Sequence, residues 1–165
     1  MSEKIVENAP FQLTAQERDA IEQEKHHYVD ARAASIEALK IVQKNRGWVC
    51  DEAITAISDV LGIPASDVEG VATFYSQIYR QPVGRHIIKY CDSVVCHING
   101  YQKIQAALEN KLKIKPGQTT FDGRFTLINT CCLGNCDKGP NMMVDDDTHA
   151  KVTPENIDEI LEQYK

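Results

Sequence analysis

Two short apolar runs in the second half of the chain, His86-Ile87-Ile88-Lys89-Tyr90 and Phe125-Thr126-Leu127-Ile128-Asn129, each lead directly into cysteines. Cys91 and Cys96 follow the first run as C-x4-C, and Cys132 and Cys136 follow the second as C-x3-C. Runs of this length, rich in β-branched and aromatic residues, predict strands. Between them, Gly100 to about Lys111 predicts a helix, with Ile104, Ala107 and Leu108 turned inward. A strand–helix–strand unit sets its two strands parallel through a right-handed crossover. Both strands then deliver their cysteines to the same edge of the sheet. Four sulfurs converge there although 35 residues separate Cys96 from Cys132.

What such a constellation does depends on the compartment. Met1–Pro10 has neither the apolar core of a secretion signal nor the Arg-rich, acid-poor look of a transit peptide, so a cytoplasmic location is expected. Six cysteines in a reducing compartment favour metal binding or redox chemistry over three disulfides. A formal net charge of −6 argues against a nucleic-acid partner. No stretch approaches the ~18–20 apolar residues of a bilayer span, so no direct membrane insertion is expected.

Thiolates are soft ligands, and four of them suit zinc or an iron–sulfur cluster. Structural zinc sites favour C-x2-C knuckles. The x4 and x3 spacings are looser, and suit a dinuclear [2Fe–2S] core that is broader than one ion. Gly134 lets backbone approach such a core and donate N–H bonds to it, which its net negative charge requires in a buried setting. A zinc staple and a thiol redox site stand as alternatives. The redox reading lacks a C-x-x-C motif at the first strand-to-helix junction. A Rieske centre needs two histidines in place of two cysteines. His97 adjoins Cys96, and adjacent loop residues seldom both reach one iron. Cys131 and Cys136 are also C-x4-C, so spacing leaves Cys131 and Cys132 both open as the third ligand.

The first part of the chain, to about Tyr75, predicts a small bundle of four helices. Thr14-Ala15-Gln16-Glu17 is a capping box before a charged helix through about His27. Ala34, Ile36, Leu39, Ile41 and Val42 lie largely on one stripe, and Gly47 supplies a stop. Asp51 is expected to cap a third helix with Ile54, Ile57, Val60 and Leu61 inward, ended by Gly62. Ser66-Asp67-Val68-Glu69 reads as a second capping box for a helix to about Ala72. Tyr75–Tyr79 reads as extended, and Gln81-Pro82-Val83-Gly84 as a linker or turn. After the second cysteine pair, Asn141–Asp145 and His149–Val152 read as a hairpin around Asp146-Asp147-Thr148. Thr153-Pro154-Glu155 is expected to start a last helix, with Ile157, Ile160 and Leu161 inward.

Val71-Ala72-Thr73-Phe74-Tyr75, Cys91-Asp92-Ser93-Val94-Val95-Cys96, and Cys132-Leu133-Gly134-Asn135-Cys136 followed by Gly139-Pro140 carry a resemblance. In these motifs, and over nearly the whole chain, the sequence resembles the thioredoxin-like [2Fe–2S] ferredoxin subunits of bacterial respiratory complex I, the NADH–quinone oxidoreductase. The resemblance implies an α+β fold, with a helical N-terminal domain over residues 1–80 and a thioredoxin-like [2Fe–2S] domain over residues 81–165. It implies one low-potential cluster on Cys91, Cys96, Cys132 and Cys136, the C-L-G-x-C element favouring Cys132 over Cys131. It further implies a component of an enzyme that transfers electrons, with no complete active site of its own. FMN and NADH would be bound by a partner subunit, and the larger iron–sulfur subunit would be a second partner. The assembly would sit peripherally on the inner membrane. Consistent with this, no G-x-G-x-x-G motif follows a strand here.

Other conspicuous residues have plainer readings. Cys50 is expected as a packed thiol, and Cys131 as an inert packed neighbour of the site. His26-His27 is expected to be solvated, and Asp145-Asp146-Asp147 to be a polar turn that lacks EF-hand spacing. His97 is either a hydrogen-bond donor to a cluster sulfur or an ordinary loop residue. Phe74, Tyr75 and Tyr79 divide between core and partner surface.

Overall fold

The computed structural model describes residues 11–165, so the expectation that Met1–Pro10 is no targeting segment lies outside the described residues. The chain divides into two compact units, the first running to Pro82 and the second from Val83 to Lys165.

Among the described residues, the regular elements of the first unit are all helices. α1 (Ala15–Lys25) opens on a complete capping box, with the Thr14 hydroxyl accepting the Glu17 N–H and the Glu17 carboxylate accepting the Thr14 N–H. A 3-10 turn at Ala31–Ala34 leads into α2 (Ser35–Arg46), which Gly47 ends at φ 83° in the left-handed region. α3 (Asp51–Leu61) ends the same way at Gly62, φ 69°. Both stops fall where the sequence places glycine, because only glycine adopts that region without steric cost. α4 (Ala65–Phe74) completes the bundle. Ile21, Leu39, Val42, Ile57 and Val68 are fully buried in its core. Truncating one of them, for example Leu39→Ala, costs about 2–5 kcal/mol through lost contacts and the cavity left behind.

Three local expectations are corrected here. Asp51 is the first helical residue of α3 rather than its cap; Cys50 takes the cap position and makes no side-chain cap bond. The Ser66–Glu69 capping box does not form. Pro64 occupies the cap position of α4, and Asp67 and Glu69 instead pair with Arg32 and Arg80, each at 2.8 Å. Tyr75–Tyr79 is a turn, not a strand, closed by the Ile78 N–H on the Tyr75 carbonyl at 2.9 Å. It is pinned to α2 by Gln43, whose side chain bonds both Gln77 O and Tyr79 N–H.

The second unit is a four-stranded mixed sheet with helices, so the chain is α+β. β1 (His86–Cys91) and β2 (Phe125–Thr130) are parallel, with Ile88 opposite Leu127 and Cys91 opposite Thr130. Between them run the short α5 (Val94–Ile98) and the longer α6 (Tyr101–Leu112). β3 (Met142–Val144) and β4 (Asp147–His149) add antiparallel, giving the order β2-β1-β3-β4. α7 (Ile157–Leu161) closes the chain. Ile88, Leu127, Met142 and Val144 from the sheet share a core with Ile104, Leu108, Ile157 and Leu161 from α6 and α7.

Two expectations shift in this unit as well. Asp147 and Thr148 lie inside β4, so the hairpin turn is Asp145-Asp146 alone, with Asp145 at φ 53°. Asp145 is held there by its carboxylate, which takes the Ile87 N–H at 2.8 Å and meets His86 Nδ1 at 2.7 Å. Pro154 does not begin the last helix. Residues 154–156 form a turn in which Asn156 Oδ1 accepts the Thr153 N–H, and regular helix starts at Ile157.

Candidate metal centre

Parallel pairing of β1 and β2 sends both strand ends to one edge. Cys91 closes β1, and Cys131 and Cys132 follow β2 without a gap. The Asp92 N–H on Thr130 O at 3.1 Å carries the pairing one step further. Cys96 does not sit in an open loop, as its spacing from Cys91 suggests. It lies on α5, whose five residues are too few for periodicity to reveal. On that turn Cys96 points inward, 1% exposed, while Val94 and Ile98 point outward.

The second loop returns over the same edge. Gly134, at φ 81°, adopts a conformation that a side chain would strain, and this aims its N–H at Cys132 Sγ, 3.3 Å away. Cys136 starts a 3-10 turn, and its sulfur lies 3.1 Å from that of Cys132. Gly139 then passes so close that a Cβ there would lie 3.4 Å from Cys96 Sγ.

Asn141 is a residue at the site that the sequence does not mark. It is buried, and its backbone carbonyl accepts the Cys91 N–H at 3.1 Å. Its side-chain Nδ2 donates to Asn135 O at 2.5 Å and lies 3.9 Å from Cys96 Sγ. One residue thus ties β1, α5 and the second loop together. A lone Asn after Gly-Pro carries no sequence signal for that.

The thiols share one electrostatic field. Burial pushes the Cys96 thiol up, and its neighbours Cys91 and Cys132 push it further. Cys136 is raised through its hydrogen bond with Cys132, with Cys96 and Cys91 adding to the effect. Cys132 is lowered by the Cys136 contact and the Gly134 N–H. Among the described residues no group of three or more His, Cys, Asp or Glu side chains closes around a position for a single ion. The Cys132 and Cys136 sulfurs lie 3.1 Å apart, and Cys91 is hydrogen-bonded to Cys96. Two soft donors per side, with N–H groups aimed at sulfur, fit a dinuclear iron–sulfur core.

The remaining candidates fall outside this arrangement or at its rim. Cys131 is exposed, not packed as expected, and Cys50 is half-buried against the helical core. His97 Nδ1 accepts from Gln102 Nε2 at 3.0 Å, and its ring lies against Tyr101. His26 and His27 are exposed beside Glu22 and Glu24. Phe74 and Tyr75 are exposed and meet edge to face, while Tyr79 is half-buried.

Residues 21–165 match the family model described as thioredoxin-like [2Fe-2S] ferredoxin. The chain is 81% identical over 155 residues to the E subunit of the NADH-quinone oxidoreductase of Escherichia coli (strain K12), covering 94% of this chain and 93% of that one. It is 62% identical over 160 residues to the same subunit of Pseudomonas aeruginosa, covering 97% and 96%. Among solved structures, an NAD+-reducing [NiFe]-hydrogenase in the H2-reduced state superposes with a TM-score of 0.63 at 25% identity. That match covers 76% of this chain and only 22% of the hydrogenase chain. Among the described residues no helix is long and apolar enough to cross a membrane. The paired cysteine loops at the end of two parallel strands and the match over residues 21–165 agree: the chain belongs to the thioredoxin-like [2Fe-2S] ferredoxin family.

Proposed function

We propose that this chain is the electron-transfer subunit of the NADH dehydrogenase module of an NADH–quinone oxidoreductase. In this reading it carries one [2Fe–2S] cluster on Cys91, Cys96, Cys132 and Cys136, and residues 1–80 and 81–165 are its two domains. The observation that carries the reading is the 81% identity, over nearly the full length of both chains, to the Escherichia coli protein. The hydrogenase likeness is weaker in identity and spans about a fifth of that chain, so it ranks second as a guide to the assembly.

The bound cluster supplies reversible one-electron transfer. The chain supplies everything else. Cys91 and Cys96, both buried, would hold the cluster with thiolates screened from water, and Cys132 and Cys136, on the more accessible loop, would supply the other two ligands. The Gly134 N–H faces the Cys132 sulfur and the Asn141 amide faces the Cys96 sulfur, and both would offset the negative charge of a bound, reduced cluster. Within this proposal FMN and NADH belong to a flavin-binding partner subunit, and the larger iron–sulfur subunit is the second neighbour. The assembly rests on the cytoplasmic face of the inner membrane through its other subunits.

The test is an iron and acid-labile sulfide assay beside low-temperature EPR of the dithionite-reduced, anaerobically purified chain. About two irons and two sulfides per chain with a reducible signal are expected. A colourless protein holding about one zinc per chain would end the reading in favour of a structural staple.

A further inference from the structure

The four thiols are not equivalent in access. Cys91 and Cys96 are 2% and 1% exposed, and each is set in regular structure, the end of β1 and the inner face of α5. Cys132 is exposed and Cys136 half-buried, and both stand on the loop that returns over the sheet edge. Their sulfurs already lie 3.1 Å apart, with the Gly134 N–H on Cys132. A sulfur on the floor of the site cannot reach an iron that a donor still holds outside it. A pair on the outer loop, one sulfur exposed and the other half-buried, can.

We propose that a preformed [2Fe–2S] cluster is loaded in a fixed order, with Cys132 and Cys136 capturing it and Cys91 and Cys96 then locking it in place. This inference rests on the four-cysteine ligand reading given above. Each step is an exchange of thiolates, with no change in iron oxidation state and with the bridging sulfides retained. Two iron–sulfur bonds to the donor's thiolates break, and two form to Cys132 and Cys136. The protons of these thiols pass to the departing donor thiolates. The same exchange at the second iron then engages Cys91 and Cys96 and releases the donor.

The order is tested on the full chain, stripped of its cluster and offered a glutathione-coordinated [2Fe–2S] complex, with uptake followed by visible circular dichroism. A Cys131→Ser background keeps a neighbouring thiol from standing in for Cys132. Cys132→Ser and Cys136→Ser are expected to slow capture by about tenfold or more, because the accessible attacking thiolates are gone. Cys91→Ser and Cys96→Ser are expected to capture within about twofold of the parent, then to lose the cluster to a chelator about tenfold faster. A second arm needs no buried substitution that could compromise folding. Limiting iodoacetamide on the cluster-free Cys131→Ser parent, mapped by peptide mass spectrometry, should modify Cys132 and Cys136 before Cys91 and Cys96, with capture falling in step. Equal slowing in all four variants, or early alkylation of Cys91 and Cys96, overturns the order. A parent that takes up no [2Fe–2S] cluster overturns the ligand reading itself, a separate result.

Discussion

Asn141 Nδ2 faces the Cys96 sulfur across 3.9 Å, while the backbone carbonyl of the same Asn141 holds the N–H of Cys91. A donor aimed at a cluster sulfur stabilises the reduced, more negative state over the oxidised one. Asn141→Leu should therefore retain the cluster and lower its reduction potential. A hydrogen bond contributing up to about 1 kcal/mol corresponds to about 40 mV for one electron, and this long contact should give about half of that. An EPR-monitored redox titration of variant and parent measures the shift. A potential that does not move removes Asn141 from any role in tuning, and one that rises overturns its reading as a donor that favours the reduced state.

The ligand assignment makes a sharper claim. Cys91→Ala, Cys96→Ala, Cys132→Ala and Cys136→Ala should each abolish or grossly change the EPR signal of the purified protein. Cys50→Ala and Cys131→Ala should leave it nearly unchanged, since Cys50 packs in the helical unit and Cys131 points to solvent. Loss of the signal in Cys131→Ala with retention in Cys132→Ala would show the opposite register for the second loop.

Legibility in the sequence followed the range of the interactions involved. The stops at Gly47 and Gly62 and the capping box at Thr14–Glu17 are set within one helical turn, and all three were readable. The two parallel strands and their shared edge were readable because period and composition both marked them. The Ser66–Glu69 box does not form because α4 starts at Ala65 with Pro64 in the cap position, which places Ser66 inside the helix, and Arg80 takes the Glu69 carboxylate. Tyr75–Tyr79 has strand-like composition but finds its partner in the side chain of Gln43, which no local pattern announces. At the site, the ligand candidates were visible and their support was not. Asn141 acts through contacts with residues 45 and 6 positions away, and such contacts exist only after folding.

A packing prediction concerns Gly84, just inside the second unit. A Cβ there would lie 3.0 Å from Gly123 O and 3.1 Å from the Arg124 carbonyl carbon and oxygen, all backbone atoms that cannot swing aside. The Gly84 N–H also bonds Thr126 Oγ1 at 2.6 Å, so the approach is fixed from both sides. Gly84→Ala should destabilise the protein by about 1–3 kcal/mol. Gly70→Ala is the control, because nothing lies within 4 Å of the added methyl and its site is helical. Urea unfolding that ranks the two variants equally would remove the backbone clash as a determinant.

The last prediction lies in the helical unit. Glu17 is 1% exposed, and Arg46 closes on its carboxylate at 2.6 Å, with the Arg46 side chain itself partly solvated. The hydrogen bond from Arg46 leads the effects that hold the Glu17 carboxyl at about 2 against its usual 4.5. A folded-state value below the unfolded one means that the stabilisation is fully present above pH 4.5. It fades as pH falls from there to about 2, where the folded carboxylate takes up its proton. Glu17→Gln should cost about 2 kcal/mol at neutral pH, less than a fully buried pair because water still reaches Arg46. More diagnostic is the slope. Between about pH 5 and pH 3 the parent should lose stability faster than the variant, and urea midpoints measured across that range read the difference directly. Parallel acid limbs in parent and variant would show that the Glu17–Arg46 pair does not govern the acid sensitivity of this unit.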